Sequence, residues 1–501
     1  MPSVSRRRFL LGLAASPIAL SLACSGSAPE PPTTNGGKRP LPIPPLADST
    51  LDDSQTRVFS LRAAPGISEI VAGQHTPTWG YNGSILGPTL RARTGETVAV
   101  RFDNALPEPT SVHWHGMHVP ARCDGGPHQV VEPGGQWSPT WTIRQPAATL
   151  WYHPHPHGMT EKHIYRGLAG FFIIDDASSS QLPRDYGLDD IPLVIQDRRF
   201  TASGALDESD STDVGLLGNT IVTNGVADAY LRVQSERVRL RILNGSGGRL
   251  YNLGFSDDRS FLIVGSDGGL LSAPVETRRV RLSPGERVEI VAELRSGSAV
   301  SLRSFAFDDN AGLSPSEAKR CGLHDTFEIL ELRPGATLRS GGEVPAVLAS
   351  IPAPDTSHAA ATRTFDLRWF MINHTRMNMD VVDFSTTVDT TEIWAVRNVD
   401  NWPHNFHVHD TQFRIIDVDG APPPPALAGY KDTVYVAPGQ RIRLAVRFTD
   451  YTDATFPYMY HCHLAMHEDR GMMGQFLVLA SGQAPAPMQG QMPGHGDHSM
   501  P

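Results

Sequence analysis

The chain has 501 residues, enough for about three domains of ordinary size. Its 46 glycines and 41 prolines favour strands and turns over a helical build. A formal net charge of -10 argues against a partner bound through nucleic-acid phosphates.

Residues 1–30 read as an export signal. SRRRFLLGLA (Ser5 to Ala14) sets paired arginines ahead of an apolar run, with Phe9 and Leu10 at the bulky positions of a twin-arginine signal. The run ends near Ala23, too short to span a bilayer. The alternative is an uncleaved anchor. Cys24 follows Leu22-Ala23 and is a candidate for lipid modification, although Ser21 stands where a leucine is usual; ordinary cleavage nearby is the alternative. Either way the mature chain is expected in the periplasm or cell envelope. There Cys123 and Cys321 either pair or stay free.

The rest of the chain repeats. A Pro-Gly turn and a strand-like run recur at Pro133 (PGGQWSPTWTI), Pro284 (PGERVEIVAEL) and Pro438 (PGQRIRLAVRF), roughly 150 residues apart. A second marker keeps step: LRARTGETVAVRFDN from Leu90, LRVQSERVRLRILN from Leu231 and TTEIWAVRN from Thr390. In RVRLRIL, Val238, Leu240 and Ile242 share one face of a strand. These patterns predict an all-β chain of three antiparallel sandwich domains of one type, at 51–176, 179–339 and 362–480. Residues 345–361, rich in Ala and Pro, read as a linker, and the Met- and His-bearing tail 481–501 as disordered.

Histidines cluster at both ends of this repeat. His113 and His115 (HWH) lie in the first unit, with His153, His155 and His157 (HPHPH). His404, His407 and His409 (HNFHVH) lie in the third, with His461, His463 and His467 (HCHLAMH). The middle unit has only His324 and reads as a spacer without ligands. Residues i and i+2 of a strand share a face, so four His-x-His pairs offer eight imidazoles, a number that suits copper. In HCH, Cys462 projects away from His461 and His463, so one strand serves two metal sites. Cys462 with His404, His467 and a weak axial Met472 is the ligand set of a blue-copper centre. Zinc is the rival metal, disfavoured because structural zinc sites gather several cysteines and do not use methionine.

HWHG, WYHPHPHG, WPHNFHVH and HCHLAMHEDRGMM together resemble the four copper motifs of the multicopper oxidases, especially the bacterial cuprous-oxidase and laccase-like branch. The resemblance covers essentially the whole mature chain. It implies three cupredoxin-like Greek-key sandwiches and four copper ions. The type 1 ligands would be His404, Cys462, His467 and Met472. The type 2 copper would take His113 and His407, and the type 3 pair His115, His153, His155, His409, His461 and His463. His157 would stand behind these ligands. Electrons from a small-molecule or Cu(I) reductant would pass through Cys462 to the cluster, where O2 becomes water. Glu468 and Asp124 fall where the family keeps acids that carry protons.

Just before His404, cuprous oxidases of this family tend to carry an acid and a methionine that hold Cu(I). Here Asp400 supplies the acid, and Trp402 stands where the thioether would be, suited to stacking on an aromatic reductant. The thioethers of MINHTRMNMD, from Met371, read as core packing, and those of MQGQMPGHGDHSM, from Met488, as copper capture. The expected reaction is a broad oxidation of phenols and aromatic amines, with Cu(I) as a physiological reductant, by a monomer. The rivals are an exported cell-division protein of the same fold, which would have lost copper ligands, and a copper store.

Overall fold

A computed structural model describes residues 37–487 apart from Asp210. The twin-arginine run, Cys24 and the Met/His stretch from Met488 lie outside the described residues.

Six sheets pair into three sandwiches. The two sheets built from strands between Ser49 and Asp175 enclose one core, which includes Phe59, Val100, Trp114, Tyr152 and Phe172. Strands between Asp190 and Arg339 enclose a second, around Leu193, Leu240, Ile290 and Leu332. Strands between Ala361 and Leu479 enclose a third, around Trp394, Phe406, Leu444 and Phe476. Two segments outside these ranges also pack on the second sandwich. Arg39–Pro40 pairs with Ala229–Ser235 at its sheet edge. Leu348, in the Ala/Pro-rich stretch, is buried in its core and donates its N–H to the Ser272 carbonyl.

The two sequence markers are neighbouring strands in every sandwich. Thr97–Asn104 pairs antiparallel with Gln136–Trp137 and Thr140–Thr142. Arg237–Asn244 pairs with Arg287–Glu293, and Thr391–Asn398 with Arg441–Arg447. The glycine of each Pro-Gly turn, Gly134, Gly285 and Gly439, has φ of 76, 82 and 75°, as the third position of a type II turn requires. Its N–H donates to the carbonyl of the asparagine that ends the marker strand: Asn104, Asn244 or Asn398. That asparagine's Nδ2 donates to the carbonyl two residues before each Pro-Gly (Val131, Leu282, Val436) and to one on its own following loop (Glu108, Arg249, Trp402). A thrice-repeated side chain therefore shapes the loop that, in the third sandwich, delivers His404.

The sandwiches are not purely antiparallel. The strand entering each one, Arg57–Ser68, Asp190–Arg198 or Ala361–Arg368, runs parallel to the marker strand. The chain leaves that sheet, crosses the partner sheet and returns in the same direction, and a hydrophobic pattern does not record direction. The outward face of RVRLRIL is not solvated either. Arg239 and Arg241 are as buried as Val238. Arg241 donates to Asp190 at 2.6 Å and to Glu289 at 3.1 Å, and its NH1 reaches Thr149 of the first sandwich. Paired in this way the charges are tolerable in a dry interface.

The first and third sandwiches meet around His118. This buried imidazole hydrogen-bonds Asp410 at 2.9 Å and Asp450 at 3.0 Å and lies against the Tyr451 ring. Arg144 also pairs with Asp450. Burial alone would lower the His118 pKa; the two carboxylates outweigh it and raise it to about 9. Burial pulls Asp410 upward against His118, while Asp450 is lowered by its bond to that ring. With two acids on one imidazole the charged form prevails. A folded pKa above the unfolded value of about 6.5 stabilises fully below pH ~6.5 and is lost as pH rises through ~9. His118→Gln is therefore expected to cost about 3 kcal/mol at pH 6 in urea unfolding and far less at pH 9.5. An equal cost at both pH values contradicts the charged bridge.

Candidate metal centre

Two groups of potential ligands converge, both fully buried. In the third sandwich, His404 starts the strand His404–Val408, Cys462 follows the strand Tyr458–His461, and His467 sits on the short helix Ala465–Asp469. Cys462 Sγ is 3.7 Å from Nδ1 of His404 and 3.7 Å from Nδ1 of His467, and those two nitrogens are 3.2 Å apart. The other nitrogen of His467 donates to the Asp213 carbonyl at 2.8 Å, which leaves Nδ1 facing the sulfur. Met472 is buried in the same core, and its carbonyl accepts the Cys462 N–H at 3.1 Å. Burial pushes the Cys462 thiol up to about 12 and holds His467 down to about 3. A buried thiolate needs a cation beside it; neutral imidazoles keep their lone pairs for one.

The second group gathers eight imidazoles from the first and third sandwiches. His113 stacks on His409 at 3.9 Å, and His115 on His407 at 3.8 Å. Nε2 of His155 and Nε2 of His409 each lie 3.2 Å from Nε2 of His461. His153 and His463 complete the group, with ring centroids 5.2 Å apart. Three sets of three ligand atoms within this group are close enough for one ion each: His113, His115 and His153; His113, His407 and His409; His155, His409 and His461.

What holds these rings is mostly on their outer nitrogens. Nδ1 of His113 meets the Asp124 carbonyl at 2.9 Å, Nδ1 of His153 the Pro154 carbonyl at 2.9 Å, and Nδ1 of His407 the Asp432 carbonyl at 2.8 Å. Nδ1 of His409 meets the Asp124 carboxylate at 2.7 Å. Glu468 spans two rings, with Oε1 3.2 Å from Nδ1 of His155 and Oε2 3.2 Å from Nδ1 of His461. Burial opposes its charge, but those imidazoles outweigh burial and hold Glu468 well below the usual carboxylate range. The result is that Nε2 atoms point inward. Those of His113 and His407, and both nitrogens of His463, are buried with no hydrogen-bond partner. Burial keeps His155 and His463 neutral, each held down to about 3. Unpartnered neutral nitrogens facing one another in a dry space are the donor set a cluster of soft or borderline cations fits.

His115 is the exception. Its Nε2 is taken by Asp432 at 2.9 Å, so Nδ1 turns inward, 3.4 Å from Nε2 of His153. Asp432 is ion-paired with Arg287 of the middle sandwich, and Asn405 donates to that sandwich's Pro284 carbonyl at 2.8 Å. The middle sandwich thus contributes no imidazole to either group but orients several. Neither Asp432 nor Asn405 stands out in the sequence.

Both candidate acids reach the cluster. Glu468 accepts the Thr160 hydroxyl at 2.6 Å, and Asp124 touches His113 and His409. His157 does not join them. The strand Ala148–His153 ends before it, the alternation lapses, and His157 is exposed. Cys123 and Cys321 are separate thiols in two different cores. Asp400 lies 3.4 Å from Nε2 of His404 and accepts the Trp369 N–H. The Trp402 ring stacks on His467 with centroids 6.1 Å apart.

Family models described as multicopper oxidase match residues 65–179 and 350–482. The chain is 34% identical over 446 residues to the multicopper oxidase mco of Staphylococcus epidermidis, covering 88% of this chain and 93% of that one. It is 35% identical over 490 residues to the cell division protein FtsP of Dickeya dadantii, covering 96% and 99%. The crystal structure of a laccase from Pediococcus acidilactici superposes with a TM-score of 0.81 at 34% identity, covering 89% of this chain and 94% of that one.

Proposed function

The chain belongs to the multicopper oxidase family, and from that premise we propose that it holds four copper ions, one type 1, one type 2 and two type 3. In this reading His404, Cys462, His467 and Met472 hold the type 1 ion, and His113 and His407 the type 2. His115, His153, His155, His409, His461 and His463 hold the type 3 pair. Copper held there would supply one-electron oxidation of phenols, aromatic amines or Cu(I), coupled to reduction of O2 by four electrons and four protons to two waters. The residues supply the rest. The chain from Cys462 to His461 and His463 links the two groups covalently. The outer-nitrogen hydrogen bonds of His113, His153, His407 and His409 preset those rings, which limits reorganisation. Glu468 and Asp124 hold protons at His155, His461 and His409.

The observation that carries this reading is the convergence of eight imidazoles in one dry group and of His404, Cys462 and His467 in an adjoining one. A purely structural role in cell division has no use for it. We further propose export by the twin-arginine route to the periplasm or envelope, as a monomer, with Cys24 a possible lipid site; no helix among the described residues is long and apolar enough to cross a membrane.

An oxygen electrode tests the reading. Copper-loaded protein is expected to consume one O2 per four molecules of 2,6-dimethoxyphenol, or per four Cu(I). No uptake with either reductant leaves a store or structural protein. Asp400→Ala is expected to lower kcat/KM for Cu(I) by about tenfold and for the phenol by less, since a lost charge–cation contact costs about that much. Equal losses assign Asp400 to holding His404 alone.

A further inference from the structure

We infer that the reductant surface beside His404, Cys462 and His467 selects aromatic anions, phenols that carry a carboxylate or sulfonate, through Arg376, Arg470 and Arg368. This rests on the oxidase reading above and names the substrate class of that same site.

Three rings form the surface. Phe370 meets the His467 ring edge-on at 5.3 Å, Trp402 stacks on it at 6.1 Å, and Phe370 and Trp402 are 6.0 Å apart. Trp369 is 54% exposed and extends the patch toward solvent. These rings give a planar reductant something to stack on close to a ligand of the electron-accepting group.

The rim is cationic. The Arg470 guanidinium lies 4.9 Å from the Phe370 centroid and that of Arg376 lies 6.0 Å from it, while Arg368 lies 5.6 Å from Trp369. All three arginines are exposed. A hydrogen bond from the Met377 N–H to the Gly471 carbonyl, at 2.9 Å, ties the Arg376 loop to the Arg470 turn, so two like charges are held side by side. Among the described residues none of the three is in an ion pair. The acids near the rim are already engaged: Glu161 accepts the Leu216 N–H at 2.7 Å and Asp469 the Thr160 and Glu161 N–H groups. Asp400 is turned inward to His404 and Trp369, and Asp213 pairs with Arg320. Clustered guanidiniums over aromatic faces present forked donors to a planar anion while its ring stacks. The same charges repel a bare Cu(I) ion.

Each anionic phenol loses one electron and its phenolic proton, becomes a phenoxyl radical and keeps its carboxylate; four of them reduce one O2 to two waters.

The test compares ferulate with methyl ferulate, which share the phenol and differ in the anion. Full-length copper-loaded protein is expected to favour ferulate by about tenfold in kcat/KM at low salt, and less as salt rises. Arg376→Gln/Arg470→Gln is expected to lose about tenfold for ferulate through KM, with at least fivefold less loss for the ester. Equal kcat/KM for the two substrates in the parent protein, or equal losses in the variant, overturns the inference and leaves the oxidase reading standing. Oxidation of neither substrate overturns both.

Discussion

Cys462→Ser is expected to abolish the intense blue colour of the copper-loaded protein and to lower substrate oxidation by at least about a thousandfold, while the imidazole group still binds copper. The colour comes from charge transfer between a thiolate and Cu(II), and among the described residues Cys462 is the one sulfhydryl placed against two inward-facing nitrogens, 3.7 Å from each. Serine fills nearly the same buried volume, so the fold persists. The alkoxide it would need is out of reach where burial already pushes a thiol to about 12. The same residue lies between His461 and His463 in the chain, so its loss also removes the link between the two groups. Absorbance, copper analysis and oxygen uptake on one preparation check all three outcomes. A blue band that survives the substitution removes Cys462 from the site.

The histidine motifs are legible in the sequence because their spacing is local. His-x-His and His-Cys-His need only neighbouring residues to imply a shared face or two opposed ones. The threefold repeat is legible for a related reason, since a Pro-Gly turn and an alternating strand are short patterns. What escapes is whatever joins distant segments. Arg287 and Asp432 look like two surface charges until the second and third sandwiches bring them together under His115. No local pattern marks His118, although Asp410 and Asp450 make it a bolt between sandwiches. Asn104, Asn244 and Asn398 sit inside the very markers that reveal the repeat, yet their role depends on carbonyls across a turn. Alternation also overreaches at its ends, as His157 shows. The direction of a strand leaves no trace in its apolar pattern, so the parallel pairs are invisible. A charged outer face likewise reads as solvated when, as with Arg239 and Arg241, it is buried against another sandwich.

Protons are the second requirement of O2 reduction, and Glu468 stands where they are needed. Its two oxygens face Nδ1 of His155 and Nδ1 of His461, rings from different sandwiches, and it accepts a hydrogen bond from the Thr160 hydroxyl. Asp124 makes a comparable but less even bridge, with one oxygen 2.7 Å from Nδ1 of His409 and the other 3.4 Å from Nδ1 of His113. Glu468→Gln keeps the size and one acceptor but cannot take up and release a proton. Reoxidation of the fully reduced protein by O2 is expected to slow by about a hundredfold, within the range general acid–base groups supply. Reduction of the His404–Cys462–His467 centre by substrate should stay fast, because Glu468 does not touch it. Asp124→Asn, at the carboxylate whose close contact is with His409 at 2.7 Å, is expected to slow the same step by about tenfold. Copper content separates the readings. A glutamine variant that loads less copper has lost a ring-holding contact, whereas one that loads fully, reduces normally and reoxidises slowly has lost a proton carrier. Stopped-flow reoxidation at the parent rate in a fully loaded Glu468→Gln protein removes Glu468 from the proton path.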